Sequence, residues 1–193
     1  GLYLGGNSLV SGATATLNIG DSGSVSVTGT TKLWSGGTLN LNYGELKTGS
    51  FDNSAGGALN FNDGFLLVLG GVFNPGTDFT LDGNTATATP TLGITGGATA
   101  TLAGDLTVAN SNKGTLWITS GSVVSNRLGH VGEVAGSTGA ALVTGADSQW
   151  NNSLDLRVGR NGNGSLTIQD GGLVSNRNGL VGEVAGATGA ALI

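Results

Sequence analysis

A chain of 193 residues with 38 % hydrophobic content and 38 glycines can fill a narrow core but not a broad one. Charged residues are 10 % of the chain and sum to −5, so there is no basic face to neutralise phosphates, which excludes nucleic acid as a partner. The lack of cysteine rules out a disulfide framework and thiolate metal sites, and no apolar run approaches the ~20 residues of a membrane span.

In chain order, short alternating runs fall between Gly, Asn, Asp and Ser. Segments 15–19, 24–27, 32–34, 38–42, 58–62, 65–69, 79–81 and 98–102 predict strands. Sharper runs follow at 106–108, 116–118, 123–125, 131–134 and 141–143, with a stub at Trp150. No window sustains a helical apolar stripe past the next glycine. The weakest joint is 74–78, with its Asn-Pro-Gly turn, followed by a Thr/Ala run to Pro90.

The strongest signal is a repeat. Segment 106–143 aligns without gaps to 156–193 at an offset of 50, with 22 of 38 positions identical and 16 of 19 between 124 and 142. Six short strands per 50 residues divide into two coils of about 25 residues with three strands each. That pattern predicts an all-β, right-handed parallel β-helix of about eight coils, each strand pairing with its equivalents above and below, which makes a rod of roughly 40 Å. The whole of 1–193 is expected to be one solenoid, with degenerate coils over 1–105 and clear repeat copies at 106–155 and 156–193, the second incomplete. Residues 2–5 match the phase of 156–159, and 17–19 that of 166–168. Leu116 and Ile118 should point inward, with Thr115, Trp117 and Thr119 outward. Both ends are expected to be cut inside the repeat, and the lack of methionine, even at position 1, fits a processed or excised segment.

Three motifs carry a family resemblance: L-x-V-G-x-x-G-x-G-x-L-x-I-x-x-G-G-x-V at 156–174, V-G-E-x-A-G-x-T-G at 181–189 and V-T-G-A-D-S-x-W at 143–150. Together they resemble the β-strand repeat of type V secretion (autotransporter) passengers and PEP-CTERM-associated surface proteins. The looser segment 34–61 resembles the same proteins. The resemblance implies export from a Gram-negative-type cell and a β-helical passenger, often an adhesin, and carries no catalytic residue across. The chain departs from it at 109–113, where ANSNK replaces a Gly-rich turn, so a different corner is expected there.

Residue chemistry points away from catalysis. Asp21, Asp52, Asp63, Asp78, Asp82, Asp147 and Asp170 stand singly in turn-like contexts that favour Asx turns. The only histidine, His130, is replaced by Leu180 in the second copy, as a tolerated position would be. Segment 162–166 is similar to a calcium-binding nonapeptide, but Ser165 occupies the ligand position. No cofactor, metal or catalytic residue is therefore assigned, and the chain is read as not an enzyme. The candidate surface ladder is Asn126, Arg127 and Glu133 with their repeat equivalents Asn176, Arg177 and Glu183: the amides should stack, and the charges alternate on one face. Trp117 is the candidate outward aromatic for a glycan, whereas Trp150 is expected to plug a thin coil.

The expected function is an extracellular stalk or adhesive passenger segment. The alternative is a fibre subunit stacking head-to-tail through open end coils, and a polysaccharide-binding or polysaccharide-active β-helix ranks below both. The expected partners are flanking repeats or identical subunits at the end coils, and a cell-surface or glycan receptor.

Overall fold

The computed structural model describes residues 1–193 and is all-β, a parallel β-solenoid of about 7 turns with about 24 residues per coil. Every paired strand is parallel, and each coil contributes strands to three faces. The first face stacks Phe65–Leu69, Thr91–Thr95, Lys113–Thr119, Thr138–Thr144, Asn163–Gln169 and Thr188–Leu192. The second stacks Val72–Asn74, Thr99–Thr101, Val123–Asn126, Gln149–Asn152 and Leu173–Ser175. The third stacks Phe79–Leu81, Leu106–Val108, Gly129–Val131, Leu156–Val158 and Gly179–Val181.

Pairing registers explain the repeat. On the first face Thr138 pairs with Lys113 and with Asn163, so both steps are 25 residues. On the second face Val123, Gln149 and Leu173 are successive partners, steps of 26 and 24. On the third face Gly129, Leu156 and Gly179 give steps of 27 and 23. Each pair of steps sums to 50, so the sequence repeat is a double coil, and identical residues of the two copies lie two coils apart with a different coil between them.

The core is a set of inward columns. One runs Leu46, Leu66, Leu92, Leu116, Ala141, Leu166; the next runs Val68, Ile94, Ile118, Val143. Each fully buried Leu or Ile contributes about 1.5–3 kcal/mol. The second-face column runs Phe51, Phe73, Ala100, Val124, Trp150, Val174, with the small Ala100 and Val124 between the aromatic side chains. Phe51 stacks on Phe73 with ring centroids 5.7 Å apart. Trp150 is fully buried, and space for it comes from Gly129, where an added Cβ would lie 2.3 Å from Asn152 Oδ1 and 3.1 Å from Trp150 Cζ2. The double coil is thus a packing unit: a missing side chain in one coil admits the indole of the next.

The corner after the third-face strand recurs in left-handed backbone at Gly132 (φ 75), Gly159 (φ 71) and Gly182 (φ 66). Ala109 occupies the same corner with φ 64, and its N–H donates to Leu81 O as Gly132 N–H does to Val108 O. The corner at 109–113 is therefore not different, contrary to the sequence expectation; alanine is held in the glycine conformation there. This same turn ends the strand at Val131, where the sequence placed a strand at 131–134.

The early coils differ more. Segments 24–27 and 32–34 are one strand, Ser24–Leu33, with a register shift between Val27 and Thr30. Glu45–Asp52, unforeseen, pairs with Phe65–Leu69 through its first half and with Val72–Asn74 through its second, so it bends round the corner and joins the first two faces into one sheet. Leu2–Leu4 pairs with Thr31–Leu33 and belongs to the second-face column, not to the phase of 156–159. Ala15–Gly20 pairs with Gly37–Asn42 in a separate three-stranded sheet with Ala58–Phe61, so 17–19 does not share the column of 166–168. That sheet ends at Phe61 and the five-stranded one begins at Phe79, so the third face breaks across the predicted joint. The coils number about 7, one fewer than expected.

Candidate functional site

Asn126 is not on the surface. It and Asn152 are both 4 % exposed and point inward as register partners. Asn126 Nδ2 donates to Asn152 Oδ1 at 2.8 Å, and Trp150 Nε1 donates to Asn126 Oδ1 at 2.7 Å. Asn126 and Asn176 therefore do not stack on each other, because the coil carrying Asn152 lies between them. Asn176 stands half-buried in the last coil.

The charged candidates find other partners than each other. Arg127 pairs with Asp105 at 2.9 Å and Arg177 with Asp155 at 3.1 Å, the same bridge in both copies. The Asn178 amide, bonded at 2.8 Å, and then Arg177 hold the Asp155 carboxyl below the usual carboxylate range, against some desolvation. Glu133 receives Arg160 Nη1, which raises the Arg160 pKa, and lies 2.7 Å from His130 Nδ1. That contact does not meet hydrogen-bond geometry, and both atoms are buried without a hydrogen-bond partner. Glu183 faces Arg157 Nε at 3.3 Å. His130 is buried in an outward-facing row between Thr107 and Arg157. The Arg127–Asp105, Arg157–Glu183, Arg160–Glu133 and Arg177–Asp155 pairs are coil-to-coil charge clips on a partly exposed surface, where solvent screens them.

Lys32 and Asp52 form a similar clip at 2.7 Å. Desolvation pushes the Asp52 carboxyl up, but hydrogen bonds from Lys32 and Ser54 outweigh it, and the group titrates below its ordinary 3.8. A depressed folded pKa gives stability that is complete above the unfolded pKa and lost as pH falls through the folded one. Asp52→Asn is expected to lower stability by less than about 1 kcal/mol at pH 7 and by nothing measurable near pH 2, as read by urea unfolding at both values.

Sequence reasoning missed the true surface amide ladder. Asn60 Nδ2 donates to Asn40 Oδ1 and Asn40 Nδ2 to Asn18 Oδ1, both at 2.6 Å, while Asn62 Nδ2 donates to Asn42 Oδ1 at 2.7 Å. The recurring pairs Leu17-Asn18, Leu39-Asn40 and Leu59-Asn60 were its signal: apolar in, amide out, once per coil. Asn40→Ala removes both bonds of the central amide and should lower the unfolding free energy by about 1 kcal/mol in urea melts.

Trp117 faces outward as expected, at 36 % exposure. Its ring lies 5.9 Å from that of Phe65, two coils away, across Gly93 in the intervening coil. With Leu67, Leu69 and Leu142 they make an apolar strip on the first face, bordered by Lys47 and Glu45, which pair at 2.8 Å. Trp34 is instead tied down, its Nε1 donating to Asn7 O at 2.8 Å with Lys32 Nζ 4.4 Å above the ring. Trp150, inside the core, offers no platform. The arrangement can clip coils together and present one apolar strip carrying two tilted aromatic rings. Comparison with protein-family models, curated proteins and solved structures returned no match for this chain.

Proposed function

We propose that this chain is a length of structural β-solenoid from a secreted or surface-anchored bacterial protein, acting as a stalk or adhesive passenger segment. The observation that supports it best is the register: two coils close on 50 residues on each of the three faces. Such a unit adds length at constant cross-section, which is what a projecting rod requires. The resemblance of 143–150, 156–174 and 181–189 to autotransporter repeats agrees with it. Immunogold labelling of the producing cells tests the location: label standing off the cell surface supports the reading, and label confined to the cytoplasm overturns it.

A fibre subunit is the second reading. It is favoured by the parallel coil-on-coil pairing, a pattern that a coil of another chain can continue as readily as a coil of the same chain. Electron microscopy of the purified chain decides: monodisperse short rods at high concentration would sink the fibre.

In the adhesive reading the first-face strip is the contact surface, and a glycan is its suggested ligand. Trp117→Ala should leave stability within about 1 kcal/mol of the parent while reducing attachment of coated beads to target cells. Unchanged attachment would remove the strip from the account.

A further inference from the structure

We infer that a bay on the side of the early coils binds one neutral hexopyranose, held by the rings of Tyr43 and Phe65 and by the Glu45 carboxylate. The inference rests on the adhesive reading and names a sugar subsite beside the first-face strip. Ser24, Glu45 and Phe65 are successive register partners on the outward side of three stacked coils. Tyr43 stands at the corner just before Glu45, and these four residues with Ser22 line a hollow of about 290 Å³. That volume is near the ~300 Å³ lower end of small-molecule pockets, so it suits a single sugar ring rather than a chain.

Tyr43 is the residue that points to a ligand. Its backbone is left-handed at φ 64, where the corners of the coils below and above use Ser22 (φ 68) and Gly64 (φ 86). A bulky aromatic residue is strained there, and such strain persists where a site makes use of it. Core packing does not offset it, because the ring is 62 % exposed. The turn has no slack either: a Cβ at the following Gly44 would lie 2.6 Å from Ile19 Cγ2 and 2.8 Å from Gly23 O. Phe65 adds a second ring at 40 % exposure, and its contact with Trp117 joins the bay to the strip.

Charge decides the class of ligand. Lys47 Nζ lies 2.8 Å from Glu45 Oε2, and Ser24 Oγ donates to the same oxygen at 3.2 Å. Glu45 Oε1 is left to accept from hydroxyl groups, and the hydroxyls of Ser22 and Tyr43 can donate or accept beside it. A cationic ligand would compete with Lys47 for the carboxylate, and an anionic one would be repelled by it. A neutral sugar does neither: its apolar C–H face packs on the rings while its hydroxyls bond Glu45 and the serines.

Saturation-transfer NMR on the full chain tests this with methyl glycosides of glucose, galactose and mannose, and with choline and N-acetylneuraminic acid as charged controls. One or more of the neutral glycosides should receive transfer, and neither control should. Tyr43→Gly should abolish that transfer yet leave the melting temperature unchanged or raised, because glycine adopts this φ without strain. Glu45→Ala should abolish it as well. No transfer to any neutral glycoside, stronger transfer to either control, or a Tyr43→Gly variant that melts lower would overturn the sugar bay. So would bead attachment that needs Tyr43 but is inhibited by none of the three glycosides, since a protein partner would then occupy the bay. Attachment by the parent chain reports the adhesive reading separately, so a chain that attaches but binds no glycoside loses the bay and keeps that reading.

Discussion

Trp150→Ala is expected to lower the unfolding free energy by about 3–5 kcal/mol, the range for deleting a large buried aromatic. The residue is fully buried, is the largest side chain in its column, and has neighbours that accommodate it as a group: Gly129 opens the space, and Asn126 with Asn152 accepts and relays the indole hydrogen bond. Removing the ring leaves a void that stacked coils cannot collapse into, and it strips Asn126 of a buried partner. For a chain of this size the loss is a fall in melting temperature of roughly 10 °C. Trp150→Phe keeps most of the volume and loses the hydrogen bond, so about 1–3 kcal/mol is expected. Gly129→Leu should be damaging alone and partly restorative in the Trp150→Ala background, because the leucine then enters the vacated space from the coil below. A double-mutant cycle by urea unfolding measures that coupling, and strict additivity would show that the two sites are independent.

Gly132→Ala is expected to cost about 2–4 kcal/mol. Two penalties combine there: φ is 75°, and an added Cβ would sit 2.2 Å from Asn163 O in the next coil. Gly182 shares the conformation at φ 66 but has its nearest neighbour, Gly189 N, at 3.6 Å. Gly182→Ala should therefore carry only the conformational term, about 1 kcal/mol. Ala109 shows that the corner itself admits a Cβ when the stacked coil leaves room. Thermal melts of the two variants separate strain within a coil from collision between coils, and equal losses would contradict the distinction.

Much of the fold was legible because a coil writes its packing into sequence locally. Leu116 and Ile118 alternate with Thr115, Trp117 and Thr119, and the structure buries the first pair and turns the others outward. The 50-residue period was visible because inward positions such as Gly129 and Ala141 recur as Gly179 and Ala191, two coils on. What failed was the assignment of strands to faces in the early coils. Gly5 at φ 74 imitates Gly159 at φ 71, so 2–5 looked like 156–159. Only the pairing of Leu2 with Thr31 sets its face, and pairing is non-local. Glu45–Asp52 was missed because polar Thr48 fills an inward position and Gly49 and Ser50 break the alternation before Phe51, where the strand turns the corner. The candidate site was less legible still. Repeat arithmetic suggested that Asn126 meets Asn176 and that Arg127 shares a network with Glu133, but neighbours in a solenoid are one coil apart, so Asn152 and Asp105 are the partners. Phe65 escaped notice because its contact with Trp117 spans two coils of unlike sequence.

The most direct test of the central claim, a rod that lengthens by whole double coils, is small-angle X-ray scattering on the 193-residue chain and on versions carrying one and two further copies of the 50-residue unit. About 7 turns at ~4.8 Å predict an axial length of roughly 34 Å, and each added unit should lengthen the rod by about 10 Å with its cross-sectional radius unchanged. A cross-section that grows with each unit, or a profile of separate beads on a flexible string, would contradict it.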